Sequence, residues 1–133
     1  MGMTVVGMGM DLVEVTRIQA ALERHGERFL HRVWTEAELA YCLGRGLQRD
    51  ESLAARFAAK EATWKALGVP PGLRFTEMEV VSGQAGRAPY VRLSGRAKEA
   101  SDRMGATGTM LTMTHAGGVA GAVVLLTTSG VAR

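Results

Sequence analysis

Cysteine and aromatic residues are scarce in this sequence. Cys42 is the only cysteine among 133 residues, which excludes an intramolecular disulfide and a zinc site built from cysteines. Aromatic residues make up 5% of the chain, so few rings are available to stack on nucleic-acid bases. A long hydrophobic run is also missing: the longest, Val119 to Leu126, is far shorter than the about 20 residues that span a bilayer.

No basic region followed by an apolar one opens the sequence, and we therefore expect a cytoplasmic protein with no membrane partner. The apolar share of 47% and the charged share of 22% are typical of a folded globular chain. Neither a repeat nor a linker interrupts it, which predicts a single domain over residues 1–133 with a frayed tail at 130–133. The net charge of +3 favours an acidic partner or a polyphosphate ligand.

Residues 56–68 form the stretch around which we expect the chain to fold. Helix formers dominate it, proline is absent from it, and Gly68 suits the end of a helix. At about 100° per residue, Glu61 and Lys65 fall inside the apolar arc, between Phe57 and Trp64 on one edge and small alanines on the other. The same pattern predicts that three polar residues point to solvent: Arg56, Lys60 and Thr63.

A carboxylate and an ammonium group on an apolar face are costly unless something satisfies them. One interpretation makes Glu61 and Lys65 an ordinary i, i+4 ion pair, which stabilises a helix by about 0.2–0.5 kcal/mol. The other makes them part of a ligand cleft, in which the carboxylate holds a hard cation and the lysine holds phosphate. The small alanines beside them favour the cleft.

The first strand is predicted over Thr4 to Met10, with Gly7 and Gly9 on the face that carries Asp11. We expect these glycines to leave empty space beside the Asp11 carboxylate. The order Asp11-Leu12-Val13-Glu14 also fits a capping box in which Asp11 begins a helix. On spacing alone the capping role is favoured over a metal ligand, and both remain open.

The rest of the chain alternates between short helices and strands. Helices are predicted after Thr35 and Ser94, which are residue types that begin helices well. Strand-like stretches are Phe75 to Val81, Tyr90 to Leu93, Thr109 to Thr114 and Val119 to Thr128. Glycine-containing loops at residues 82–87 and 115–118 predict two hairpins.

Four arginines form one basic stripe if the first helix continues or resumes past Gly26: Arg17, Arg24, Arg28 and Arg32. Phe29 lies next to them. The stripe is either a solvated face, diluted by glutamates, or a surface for an acidic partner. His115 ends a predicted strand beside a glycine turn, which is a position typical of a surface histidine.

Three segments resemble, in order, the three motifs of the phosphopantetheinyl transferases. They are Gly9-Met10-Asp11-Leu12-Val13-Glu14-Val15, then Arg56-Phe57-Ala58-Ala59-Lys60-Glu61-Ala62 followed by Lys65-Ala66-Leu67-Gly68, and finally Thr112-Met113-Thr114-His115. Size and spacing are similar to those of the small type, the holo-acyl-carrier-protein synthases. The chain departs from the family at Thr112, at Trp64 and at residues 69–72, where serine, a smaller residue and a glycine-rich continuation are usual.

The resemblance implies an α+β fold, with an antiparallel sheet packed on the long central helix. It also implies transfer of the phosphopantetheine arm of coenzyme A to a serine of an acyl carrier protein. In the family, the residues that match Asp11 and Glu61 hold Mg²⁺, with Mn²⁺ as a substitute, against the diphosphate. The catalytic residues implied are Glu61, Lys65 and His115, and the coenzyme A-binding residues are Arg56, Lys65, Gly68, Pro89 and His115.

The same resemblance implies two kinds of protein partner. The small type assembles as a homotrimer with active sites between subunits. An acidic carrier protein of fatty acid or polyketide biosynthesis is expected to bind the arginine stripe, with Phe29 as an apolar anchor. The preferred candidate for taking the serine proton is Glu61, through a metal-bound water.

Two other classes of function are weighed against this one. A small basic binding module for RNA or an acidic protein would explain the arginine stripe, but it leaves Glu61 in the apolar arc unexplained. A Mg²⁺-dependent phosphohydrolase typically has a denser carboxylate cluster than Asp11 and Glu61 provide.

Overall fold

A three-stranded antiparallel sheet packs against one long helix, and shorter helices and a hairpin cover the other sides of that helix. In chain order the elements are β1 (Thr4–Glu14), α1 (Val15–His25), α2 (Glu27–Val33), α3 (Glu36–Leu43), α4 (Arg49–Ala66), β2 (Met78–Val81), β3 (Tyr90–Leu93), α5 (Gly95–Arg103), β4 (Gly108–Ala116) and β5 (Val119–Thr128). The structure is a computed structural model that describes residues 2–129, so the predicted tail at 130–133 lies outside the described residues. The expected α+β fold is confirmed.

The sheet order is β1-β5-β4, and β2 and β3 form a separate antiparallel hairpin. The core lies between this sheet and α4, where Ala54, Ala58 and Ala62 are fully buried. Small side chains on the helix let the sheet backbone come close. At Gly9 an added Cβ would lie 1.9 Å from the Ala62 carbonyl oxygen, and at Gly7 it would lie 2.4 Å from the Ala66 carbonyl oxygen.

The predicted empty space beside Asp11 is therefore wrong. Gly7 and Gly9 are needed because the backbone of α4 fills the volume that their side chains would occupy. Helix and strand meet at backbone distance, and this contact fixes the height of β1 relative to α4. Asp11, two residues after Gly9, is thereby held over the C-terminal half of the helix.

The capping-box interpretation of Asp11 is also wrong. The first strand runs four residues beyond its predicted end, to Glu14, and Asp11 pairs with Ala122 of β5 in the sheet. Helix α1 begins at Val15, and no side chain caps it. Since Asp11 is not occupied in capping a helix, its carboxylate is available for other contacts.

The solvated face predicted on α4 is wrong as well. Arg56 is 5% exposed, and Lys60 and Thr63 are fully buried. The Lys60 ammonium group donates to Glu38 Oε1 at 2.7 Å and to the carbonyl oxygens of Met78 and Phe75 at 3.0 and 3.1 Å. Burial lowers the pKa of Lys60, while the Glu38 carboxylate opposes that shift. Residues from α3 and the β2 region therefore cover a face that the sequence assigned to solvent.

The other predicted elements are largely confirmed. Thr35 begins α3 with a capping box in which Glu38 is the reciprocal partner. Ser94 precedes α5, although its side chain forms no capping hydrogen bond. The strand predicted from Phe75 starts only at Met78, because Phe75–Glu77 forms a 3-10 turn. Among the described residues, no helix has the length and apolar content required to cross a bilayer.

The outer face of the sheet, away from α4, exposes a row of large apolar side chains. Met8, Met10 and Leu12 on β1 are 69%, 60% and 66% exposed, and Met110 on β4 is 50% exposed. The pairing places Met8 and Met110 on either side of Leu125. We refer to these five residues as the outer sheet patch. Contiguous exposed apolar surface of this kind marks an interaction site.

Candidate active site

The Lys65 side chain joins the last turn of α4 to strand β1. Its ammonium group donates to Asp11 Oδ1 at 3.1 Å and to the Met10 carbonyl oxygen at 3.0 Å. The Asp11 side chain is 18% exposed and that of Lys65 is 47% exposed, so the pair lies at the mouth of a site rather than inside the core. The second and first predicted motifs thus meet in space.

Glu61 lies one turn before Lys65 on the same helix and shares this neighbourhood. Burial raises the pKa of the Glu61 carboxyl, the Asp11 carboxylate raises it further, and Lys65 and Arg17 oppose the shift. Asp11 accepts a hydrogen bond from Lys65 at 3.1 Å, and Glu61 lies one turn before Lys65, so both acidic residues are neighbours of the same ammonium group. Of the two interpretations of Glu61 and Lys65, the cleft is the one that the structure supports.

A cavity of about 300 Å³ opens beside Glu61. Its walls come from α4 and from the segment that leads into β2: Trp64, Pro70, Pro71, Gly72, Leu73, Phe75 and Met78. The Trp64 indole donates to the Pro70 carbonyl oxygen at 2.8 Å, which ties this segment to the helix. Among the described residues, Glu61 is the only charged one in the lining, so the cavity suits an apolar or neutral group held next to a carboxylate.

The acidic pair fits a hard divalent cation that keeps part of its coordination free. Within residues 2–129, no group of three or more His, Cys, Asp or Glu side chains is arranged to hold a metal ion. Mg²⁺ is commonly bound through one or two carboxylates, with water and substrate phosphates completing the shell. Asp11 and Glu61 match that donor set, and the Lys65 ammonium already provides positive charge between α4 and β1.

Arg56 occupies a different place from Glu61. Five helical residues separate them, which turns their side chains about 140° apart around the helix axis. The Arg56 guanidinium stacks on the Tyr41 ring at 4.2 Å and donates to Ser82 Oγ at 3.0 Å. Its Nε atom is buried and has no hydrogen-bond partner among the described residues. Arg45 lies on the same ring at 5.2 Å, so sequence reasoning missed a second cation here.

The loop after Ser82 carries the predicted nucleotide-binding residue Pro89, which is half-buried. This loop joins β2 to β3 and contains a left-handed turn at Ala85 and Gly86. Because Arg56 donates to Ser82, the loop and the arginine belong to one surface. Gly68 lies instead just beyond α4, where its N–H donates to the Lys65 carbonyl oxygen, on the same end as Asp11.

His115 lies at a third place in the chain. Its Nδ1 atom is 3.6 Å from Glu51 Oε2, near the start of α4. Glu51 precedes Glu61 by ten residues, which corresponds to about 15 Å along the helix. A single chain therefore brings Asp11, Glu61, Lys65 and Gly68 together, but it does not bring Arg56 or His115 to them.

The arginine stripe resumes beyond Gly26, as the sequence allowed, because α1 ends at His25 and α2 begins at Glu27. Arg17 is close enough to Glu61 to lower the pKa of that carboxyl. Arg24 is exposed on α1. Phe29 is half-buried, with its ring edge-on to Trp34 at 5.3 Å, and it lines a shallow pocket with its stripe neighbours and His25.

A groove of about 610 Å³ lies between α2 and the segment before β2. We refer to it as the basic groove. Its lining residues are Arg28, His31, Arg32, Leu73, Arg74, Phe75 and Thr76. Leu73 and Phe75 also line the cavity beside Glu61, so the two spaces share a wall. Arg74, which sequence reasoning missed, forms the opposite side of the groove from the stripe. Sequence reasoning did not connect Arg74 with the arginine stripe, because the two lie far apart in the sequence.

Known proteins resemble this chain over nearly its whole length. A profile of the 4′-phosphopantetheinyl transferase superfamily matches residues 7–120. The chain is 48% identical over 129 residues to the holo-[acyl-carrier-protein] synthase of Anaeromyxobacter dehalogenans (strain 2CP-C), covering 95% of this chain and 98% of that protein.

Two crystal structures show the same likeness in three dimensions. The holo-ACP-synthase of Plasmodium yoelii superimposes with a TM-score of 0.82 at 28% identity, covering 98% of this chain and 100% of that one. The holo-[acyl-carrier-protein] synthase of Helicobacter pylori, in complex with coenzyme A, gives a TM-score of 0.76 at 32% identity, with coverage of 90% and 98%.

Proposed function

The chain belongs to the 4′-phosphopantetheinyl transferase superfamily, and from that premise we propose that it acts as a holo-[acyl-carrier-protein] synthase. It transfers the phosphopantetheine group of coenzyme A to a serine hydroxyl of an apo acyl carrier protein. The serine oxygen forms a bond to the pantetheine-bearing phosphorus, the diphosphate bond breaks, and adenosine 3′,5′-bisphosphate leaves. The observation that carries the proposal is the meeting of Asp11, Glu61 and Lys65 in a chain of this family.

We assign the divalent cation, Mg²⁺ or Mn²⁺, to Asp11 and Glu61. When bound there, such an ion neutralises diphosphate charge and stabilises the departing bisphosphate. Lys65 supports the same task, since its ammonium group is half-exposed and within reach of an anion at the mouth of the site. Glu61 is our candidate for accepting the serine proton, because burial and the neighbouring Asp11 carboxylate raise its pKa.

The basic groove supports an acidic carrier protein as the second substrate. Arg28, Arg32 and Arg74 line it, and none of the three forms an ion pair with another described residue. His31 is the exception in the groove, since its ring contacts the carboxylates of Glu27 and Glu36. Unpaired guanidinium groups on an exposed surface attract an acidic partner and accelerate its association.

We propose that the enzyme works as a homotrimer whose sites form between subunits. Within one chain the coenzyme A-binding residues predicted from the family lie in three places, because Arg56 and His115 are remote from Glu61. A neighbouring subunit that supplies these two side chains would complete the site. The outer sheet patch supports such an assembly, since it exposes apolar surface that a partner chain would cover.

The direct test is incubation with coenzyme A, Mg²⁺ and an apo carrier protein, with the intact mass of the carrier followed over time. We expect a gain of one phosphopantetheine group, and none when a chelator removes the metal. A carrier in which the acceptor serine is replaced by alanine is the matched control. An unchanged carrier mass across both fatty acid and polyketide carriers would contradict the proposed function.

A further inference from the structure

The Lys65 ammonium group lies where a bound cation would meet Asp11. It donates to Asp11 Oδ1 and to the Met10 carbonyl oxygen at 3.1 and 3.0 Å. Within residues 2–129, β1 is an edge strand of the sheet, since β5 pairs with it on one side and no other strand pairs with it. The Met10 carbonyl thus belongs to a strand with one unpaired edge. Lys65 binds that strand at Asp11 and at the preceding residue, Met10.

The electrostatics of the pair show what this ammonium group does. The ammonium group of Lys65 lies 3.1 Å from Asp11 Oδ1, and Lys65 follows Glu61 by one turn of α4. Two neighbouring carboxylates without a counter-ion would repel one another. Lys65 supplies the missing charge from within the chain.

The Lys65 side chain is also free to leave. It is 47% exposed, and its ammonium group contacts only Asp11 and the Met10 carbonyl oxygen among the described residues. An exposed ion pair of this kind contributes little to stability, so an anion of higher charge displaces it easily. The diphosphate of coenzyme A, the co-substrate in the proposed function, is an anion of this kind.

We propose that Lys65 acts as the internal counter-ion of the acidic pair, so that a divalent cation and the diphosphate bind cooperatively. This inference rests on the proposed function and concerns the order of events at the same site. A cation that arrives alone must compete with the ammonium group for Asp11. Once a diphosphate is present, Lys65 moves to the phosphate, and both carboxylates become available to the cation. By linkage, the cation strengthens coenzyme A binding by the same factor.

Mn²⁺ binding to the full chain, followed by electron paramagnetic resonance of the free ion, tests the inference without reference to turnover. Lys65→Gln removes the counter-ion and keeps a side chain of similar length, and Lys98→Gln on α5 is the matched control. Without coenzyme A, we expect Lys65→Gln to bind Mn²⁺ about tenfold more tightly than the unsubstituted chain does, with Lys98→Gln unchanged. Coenzyme A titrated alone provides the blank, because its diphosphate also binds the ion.

The second arm measures the coupling. Coenzyme A should tighten Mn²⁺ binding by about tenfold in the unsubstituted chain and by clearly less in Lys65→Gln. Asp11→Asn should abolish the tighter binding in the Lys65→Gln background. Equal or weaker Mn²⁺ binding by Lys65→Gln without coenzyme A, or equal coupling in both chains, would overturn the inference. The carrier mass assay separates the two proposals, since transfer by the unsubstituted chain upholds the function whatever the Mn²⁺ titrations give.

Discussion

Glu61 is placed where its charge is unfavourable to the fold, and this is characteristic of a residue retained for chemistry. Burial and Asp11 raise its pKa above that of an ordinary carboxyl. A folded-state pKa above the unfolded value contributes stability below the unfolded pKa, and that contribution is lost as the pH rises through the folded pKa. Above its folded-state pKa, the charged Glu61 side chain therefore contributes no stability from this source.

Glu61→Gln is expected to abolish carrier modification while leaving the thermal unfolding temperature at pH 7 unchanged or higher. Amide and carboxyl are similar in size, and the substitution removes the charge that burial and Asp11 disfavour. Unfolding followed by circular dichroism, with a chelator present, measures the second effect. Near-normal turnover, or a marked fall in unfolding temperature, would contradict the assigned role.

Lys60, next in sequence to Glu61, has a structural function instead of a chemical one. Its three ammonium donors are matched by Glu38 and by two backbone carbonyl oxygens, and Glu38 in turn accepts from the N–H groups of Thr35 and Val80. A fully satisfied buried pair positions elements, and here it ties α3 and the start of β2 to α4. The two carbonyls belong to Phe75 and Met78, which line the cavity beside Glu61.

Lys60→Met is expected to destabilise the fold by about 3–5 kcal/mol, because it leaves the Glu38 carboxylate buried without its counter-ion. Chemical denaturation monitored by circular dichroism measures this loss. The matched control is Lys98→Met, which removes a lysine paired with Asp102 on the surface of α5 and should cost at most about 0.5 kcal/mol. Similar losses for the two variants would show that the buried pair does not fix the fold.

Glu61 and Lys60 show which features of a residue a helical pattern can predict and which it cannot. The angle of Glu61 within the apolar arc was readable from the sequence, and so was its chemistry. The burial of Lys60 was not, since its angle alone indicated solvent. Glu38, the residue that satisfies it, lies 22 positions earlier in the chain, and only the folded structure shows that α3 covers this face.

At the scale of elements, the contact between β1 and α4 decides where Asp11 comes to lie beside Glu61 and Lys65. Gly7 and Gly9 allow the strand backbone to touch the helix backbone, and the strand continues to Glu14. The sequence predicted the strand and the glycines, but it could not tell that the space beside them is filled. The sequence also favoured a helix cap at Asp11, because Glu14 follows it at the spacing of a capping box.

The basic groove joins α2 to the segment before β2, and Arg74 allows its two sides to be tested separately. Arg74→Glu should raise the KM for an acidic carrier protein several-fold and reduce its salt dependence, with kcat and the KM for coenzyme A unchanged. An exposed charge that contacts a partner mainly alters association. Steady-state kinetics at two salt concentrations measure the effect.

Arg103→Glu provides the matched control for that experiment. Arg103 is exposed near the end of α5 and is not part of the groove lining, yet the substitution changes the net charge of the chain equally. An equal rise in KM for both variants would mean that net charge, and not the groove, governs carrier binding. An unchanged KM for Arg74→Glu would confine the docking surface to the arginine stripe.

At the scale of the whole molecule, a single chain contains all of the predicted site residues but does not bring them together in one place. The sequence predicts the candidate residues as three motifs, because each motif is local. Their arrangement depends on which residues share a side of α4, and Arg56 and Glu61 lie on different sides of it. The outer sheet patch then suggests where the missing neighbours come from, since it leaves apolar surface uncovered.

A mixture of two inactive variants tests this arrangement most directly. Glu61→Gln removes the carboxylate from one place on the chain, and His115→Ala removes the imidazole from another, about 15 Å away along α4. If each site draws on two subunits, oligomers assembled from equal amounts of both variants contain some intact sites. Random assortment gives about a quarter of the sites both functional side chains, so about a quarter of the normal transfer rate should return.

The matched control is a mixture of Glu61→Gln with Asp11→Asn, both of which alter the same place on one chain. Such a mixture should stay inactive, because every site receives one damaged acidic pair from the single subunit that supplies it. Native mass spectrometry establishes that mixed oligomers have formed in both cases. Failure of the first mixture to regain activity, with mixed oligomers present, would place each complete site within one subunit and would leave the outer sheet patch without a catalytic role.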